Sequence, residues 1–370
     1  MPRARNLAGT ADLRRARLPA VALAAIAILA GMWAGLARLG WVPLTPGSWL
    51  PGVHGLLMAL GGLGTLIALE RAVALGRAWG YVAPAAAAAG ALCLVAGAPA
   101  RLAASLLTVA GLALVAIFAQ IMRIQPSMHT AVMTLAATAW PVSTLLWMRG
   151  WPISRMVPWL TGFLVLTVAA ERVELARVVR LTSVGRTLFL AAVAVTFTGV
   201  AVTGPAPGPG ARIAGAGLLG LALWMVRYDV ARRTVRMPGL TRYVAAALLA
   251  GYAWLGFAGA LWIAGGTKTA RLYDASLHAI FLGFIISMVF GHAPIILPAV
   301  LRIALPYRTR FYAHLGLLHA SLAARVAGDL LPSGEVRRWG ALLGVVAILL
   351  FLANTATAVR STSAKRNPDA

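Results

Sequence analysis

The stretch Asp274-Ala-Ser-Leu-His278-Ala-Ile-Phe-Leu-Gly-Phe-Ile-Ile-Ser-Met-Val-Phe-Gly-His292-Ala-Pro294-Ile-Ile-Leu-Pro298 decides how the chain is read. After a short basic turn, Arg302 to Arg310, a second apolar run carries His314, His319, Arg325 and Asp329. Each run is long enough to cross a bilayer, which takes roughly 20 apolar residues. Four of the six histidines lie in these two runs. Ionisable groups in such helices are costly to keep, so they are functional candidates by default.

Similar apolar runs recur from end to end. The chain has 370 residues, 61% of them hydrophobic and 11% charged, against about 25% charged in ordinary soluble domains. The expected fold class is an all-α, polytopic integral membrane protein. The net charge of +24 does not indicate nucleic acid, because the basic residues sit in short clusters between apolar runs, the pattern of membrane topology signals. They are almost all Arg. With the abundance of Ala and Gly this fits a GC-rich bacterial genome. The single cysteine, Cys93, excludes a disulfide framework, a Cys-x-x-Cys site and a c-type haem attachment. A metal or haem would have to be held by His, Met, Tyr or carboxylates.

About twelve spans are expected: about 18–39, 53–69, 80–98, 102–121, 129–148, 156–174, 187–202, 213–225 and 243–264, the two opening runs, and 340–357. Residues 1–17 then form a basic tail with no convincing signal-peptide cleavage site, 18–360 a single helical domain and 361–370 a second tail. With both termini in the cytoplasm, the cytoplasmic segments hold the large majority of the 33 Lys and Arg, as the positive-inside rule requires. The segment Arg227-Tyr228-Asp229 with Arg232 and Arg233 reads as a membrane surface that touches anionic lipid. Pro294 and Pro298 are expected to kink or end the tenth span just past His292.

This topology gives each histidine a depth. His54 and His278 enter their spans from the outer side and share a level. His292 follows His278 by 14 residues, roughly 21 Å and close to four turns of α-helix, so both project from nearly one face. His129, His314 and His319 lie toward the cytoplasmic side. Haem and copper both take neutral imidazole. His54 with His278 is the expected ligand pair of a non-covalent, b-type haem, and His292, His314 and His319 are candidates for a second metal or haem site, with copper as the metal. For any one of these, a span-end histidine that meets water or a carbonyl is the alternative. Met58 and Met288 are better packing residues than ligands. Arg325 is placed to hold a haem propionate or a substrate anion, or to pair with Asp329 four residues on. Glu70 and Glu174 read as interfacial ion-pair residues. Glu171, deeper in its span, is a candidate proton-pathway group.

The tenth span resembles the NnrS family of bacterial inner-membrane proteins through His278, Ala279, Gly283, Ser287, Met288 and Gly291. The second span matches that family's early motif at His54, Met58 and Gly61, and Ala323-Ala324-Arg325-Val326 resembles its Arg-containing helix. Leu56 stands where the family has a second histidine, and His292, His314 and His319 fall outside its pattern. The resemblance implies bound haem and copper and a part in nitric-oxide or related redox stress, with nitric oxide as the small-molecule ligand. The adjacent His-His and His-x-His motifs of haem–copper oxidases are absent. A cofactor-free secondary transporter and an accessory subunit of a respiratory complex remain alternatives. Membrane lipid is the expected macroscopic partner, and nucleic acid is not.

Overall fold

The computed structural model describes residues 2–43, 48–175, 181–265 and 268–366, with the side chains of 2–16, 175 and 360–366 outside that description. The two expected tails, 1–17 and 361–370, therefore lie largely beyond the described side chains. The described residues contain helices and no strand. In chain order these are α1 (Pro2–Arg38), α2 (Leu50–Leu56), a π-helical segment (Leu57–Gly64), α3 (Thr65–Leu75), a 3-10 turn (Ala78–Tyr81), α4 (Val82–Val95), α5 (Ala100–Ile124), α6 (Met128–Met148), α7 (Ile153–Leu175), α8 (Ser183–Val202), α9 (Pro207–Tyr228), α10 (Ala231–Thr234), α11 (Gly239–Ala264), α12 (Ala270–His278), a second π-helical segment (Ala279–Ile286), α13 (Ser287–Leu301), α14 (Phe311–Leu330) and α15 (Gly334–Arg366).

Among the described residues eleven continuous helical runs are long and apolar enough to cross a membrane. The protein is thus an all-helical, multi-pass membrane protein. α14, the eleventh span of the sequence reading, forms as a 20-residue helix but is not one of those eleven; two histidines, Arg325 and Asp329 dilute its apolar character. The eighth span is longer than expected. It starts at Pro207, because the Gly/Pro-rich stretch 207–210 supplies its first turn; proline suits that position, where the missing N–H has no helical partner anyway.

The chain divides into two compact units, Met1–Phe163 with Leu297–Ile303, and Leu164–Ile296 with Ala304–Ala370. In the first unit, fully buried Trp140 packs on Phe163 with ring centroids 5.2 Å apart. The Arg17 guanidinium donates to the Val300 carbonyl at 2.7 Å and to the Tyr81 hydroxyl at 3.2 Å.

In the second unit, α8, α9 and α11 pack backbone against backbone. A Cβ at Gly199 would lie 2.1 Å from the Ala214 nitrogen, and Cβ atoms at Gly215 and Gly259 would each meet the other's carbonyl at 2.7 Å. Within a membrane, where lipid is as apolar as a helix face, such small-residue seams supply the packing that holds helices together.

The tenth span does not end at Pro294 or Pro298. α13 runs through both to Leu301. A proline within a helix removes the bond to the carbonyl four residues back, which for Pro294 is that of Phe290. The Tyr243 hydroxyl donates to this carbonyl at 3.2 Å. The acceptor that Pro294 orphans is thereby satisfied.

The two π-segments correct a second expectation. The geometry of four α-turns between His278 and His292 does not apply, because Ala279–Ile286 is wound i→i+5. A wider helix turns less per residue, so the two histidines are offset by something other than an α-helical count. His278 turns back to Asp274 of α12, whereas His292 turns to Arg172 of α7.

Candidate functional site

The six histidines differ in how their lone pairs are used. Carbonyl oxygens only accept and guanidinium, amide and indole N–H groups only donate, so neighbours of these kinds fix a tautomer. His54 donates from Nδ1 to the Gly31 carbonyl at 2.6 Å, which leaves the lone pair on Nε2. Its ring lies over Gly35, where a Cβ would be 3.1 Å from Cε1. Met58, one turn on, covers Gly31 with its thioether. His278 repeats the arrangement in the second unit. Its Nδ1 donates to the Asp274 carbonyl at 2.8 Å and lies 3.4 Å from the Asp274 carboxylate, again placing the lone pair on Nε2. Each of these histidines immediately precedes or lies one turn before a π-segment.

His292, His314 and His319 each have both ring nitrogens engaged by protein groups. The His292 Nδ1 donates to the Met288 carbonyl at 2.8 Å, while its Nε2 accepts from Arg172 at 2.9 Å. His314, fully buried, accepts at Nδ1 from the Asn354 amide at 3.2 Å. Its Nε2 then donates to the Tyr243 hydroxyl at 2.9 Å, which itself donates to Phe290. His319 accepts at Nδ1 from the Trp254 indole at 3.1 Å, and its Nε2 faces Ser287 Oγ at 3.2 Å, which donates to the Ala247 carbonyl. All three lone pairs are occupied by protein donors. Among the described residues no three His, Cys, Asp or Glu side chains are grouped to hold a metal. The structure does not gather the expected trio, and as placed these residues do not fit a metal ion. Phe290, Phe311 and Phe351 ring His314, with centroids 4.9, 5.4 and 5.3 Å away. His129 meets Ser127, the cap of α6, at 3.0 Å.

Arg325 does not pair with Asp329. It reaches across to α12 and binds the Asp274 carboxylate through Nε at 3.0 Å and Nη2 at 3.1 Å. The fork of a guanidinium matches a carboxylate in this way, and the pair stands directly behind His278. Asp329 instead has Arg337 as its nearest cation, at 3.6 Å.

A second charged centre was not legible in the sequence. Arg172 on α7 binds Asp229 through Nε at 2.7 Å and Nη2 at 3.3 Å, besides its bond to His292. Asp229 also accepts from the Tyr252 hydroxyl at 2.9 Å and the Ala231 backbone at 2.7 Å. This corrects the surface reading for Asp229, while Arg227 is exposed. Asp229 is 3% exposed and turned inward, while Arg232 and Arg233 are exposed. The available signal was the rarity of acid: nine Asp and Glu in 370 residues make any carboxylate in an Arg-rich segment a candidate for pairing. Glu70 pairs with the adjacent Arg71 at 3.2 Å. Glu171 is half-buried beside Arg172. Met288 covers Gly251, where a Cβ would lie 2.4 Å from its methyl.

The chain belongs to the family described as "Domain of unknown function (DUF8744)", which matches residues 17–360. No curated protein matches it.

Proposed function

We propose that this protein is a haem-binding protein of a bacterial inner membrane, with both termini cytoplasmic and α14 as its twelfth span. The Nε2 atoms of His54 and His278 act as iron ligands, each in its own unit. One observation carries this reading: in both units a histidine beside a π-segment spends Nδ1–H on a backbone carbonyl, at 2.6 and 2.8 Å. A second hydrogen bond of that kind fixes ring orientation and makes the opposite nitrogen the better ligand. π-turns inside α-helices are frequent at functional sites. The resemblance of the His278–Gly291 and His54–Gly61 stretches to NnrS proteins supports the same reading.

A haem held there would supply an iron able to bind a diatomic gas such as nitric oxide. The chain's own residues orient the ligands: Gly31 and Gly35 seat His54, and Asp274, gripped by Arg325, backs His278. Arg325 therefore acts on a cofactor through Asp274 rather than as a direct propionate partner. Copper suits the same imidazole tautomers.

The test is an absorption spectrum of the purified protein, oxidised and reduced, with haem and metal content from the same sample. Stoichiometric haem that is lost in His278→Ala and in His54→Ala, with membrane insertion intact, is the expected result. A colourless protein from haem-replete cells, or unchanged haem in both variants, would overturn the reading. A second reading, a cofactor-free secondary transporter, draws on the Arg172–Asp229 and Arg325–Asp274 pairs, since charges inside membrane helices often mark ion or substrate paths.

A further inference from the structure

Asp329 is the most anomalous charged group of the described residues. Its side chain is 0% exposed, and neither carboxylate oxygen has a hydrogen-bond partner. It lies against the carboxyl of Asp274 from α12. Two ionised carboxylates are acceptors only and cannot satisfy each other. Asp274 already has a full counter-charge, the two-pronged Arg325. Asp329 has none at hydrogen-bond range. Arg337 on α15 stands off at 3.6 Å, is one-third exposed and leaves its own Nε unpartnered. An uncompensated buried carboxylate costs several kcal/mol, and in practice such a group takes up a proton instead. A single proton resolves the arrangement: the Asp329 O–H becomes the donor that the Asp274 carboxylate can accept.

We propose that Asp329 is a proton-binding site, resting as a neutral carboxylic acid that donates its hydrogen bond to Asp274. The groups facing it are Asp274 on α12, Arg325 on its own helix and Arg337 on α15. Protonated, the cluster balances Asp274 against Arg325. Deprotonation adds a negative charge, draws Arg337 inward to close the 3.6 Å gap and places two like charges side by side. Proton release at Asp329 is thereby coupled to the Asp274–Arg325 clasp. This inference does not rest on bound haem.

The experiment is infrared spectroscopy of the full-length protein in lipid at neutral pH, read at the carbonyl stretch that only a protonated carboxyl gives. The expected result is a band in the wild type that is lost in Asp329→Asn and persists in Arg337→Gln. Should Asp329→Asn fail to fold, Asp329→Glu replaces it: a wild-type band that moves with the changed side chain upholds a neutral Asp329, and a band that does not move overturns it. Absence of the band from the wild type, or its appearance only in Arg337→Gln, shows an ionised Asp329–Arg337 salt bridge and overturns the proposal. So does a band that survives in a folded Asp329→Asn.

Discussion

Arg172 and Asp229 meet through two hydrogen bonds, at 2.7 and 3.3 Å, although 57 residues separate them. Both are nearly inaccessible to solvent, with side-chain exposures of 4% and 1%. Breaking one partner of such a pair leaves a bare charge in a low-dielectric interior, at about 3–5 kcal/mol. Arg172→Leu and Asp229→Leu are each expected to lower the thermal stability of the detergent-solubilised protein sharply. The double variant, which removes both charges, is expected to recover much of the loss. Melting curves of the three check this, and additive losses would contradict it.

Tyr252→Phe is a milder probe of the same centre. It deletes one of several donors to Asp229 and leaves the Arg172 contacts in place. The expected loss is about 1.5–3 kcal/mol, the range for hydrogen bonds to charged groups. Chemical or thermal unfolding against the wild type measures it.

Tyr243→Phe tests how α13 survives its proline. The change leaves the Phe290 carbonyl without a donor and removes the acceptor of His314. A buried group left unsatisfied costs about 1–3 kcal/mol. Pro294→Ala restores a backbone N–H to Phe290, so Tyr243→Phe is expected to cost less in a Pro294→Ala background. A double-mutant cycle on melting temperature reads the difference.

The close seam of α8 and α9 predicts a contrast between two glycines. Gly199→Ala forces a methyl into the Ala214 backbone, at 2.1 Å, whereas Gly256→Ala meets its nearest atom at 3.5 Å. Overpacking of a tight contact costs about 1–3 kcal/mol. Gly199→Ala is expected to reduce the yield of folded protein, and Gly256→Ala to leave it unchanged. Fluorescence-detected size-exclusion profiles distinguish the two.

His314→Gln and His319→Gln are expected to leave haem and metal content at wild-type levels while lowering stability. Their ring nitrogens serve protein partners. Metal analysis of the purified variants checks this, and a fall in bound copper or haem would restore them as ligands.

The spans were legible because burial in lipid demands long apolar runs, and that demand is local in sequence. Partner choice was not. Arg325 and Asp329 satisfy the i,i+4 rule, yet Arg325 prefers a carboxylate 51 residues away on a facing helix. The His292 partner lies 120 residues away. Such choices depend on which helices touch, and no local spacing encodes that. The π-segments were hidden for another reason. Their residues are ordinary apolar ones, and their width reflects packing rather than composition.

That width has a consequence for any comparison of related chains. A stretch wound i→i+5 carries surplus residues for the distance it spans. Loss of one residue within 57–64 or 279–286 would let it rewind to the commoner helix at nearly constant length. The histidine ahead of it would then swing to a new azimuth relative to everything downstream. In aligning relatives, a one-residue gap in these two windows is therefore not a neutral trimming event. It is the change most apt to re-aim His54 or His278 without touching either codon.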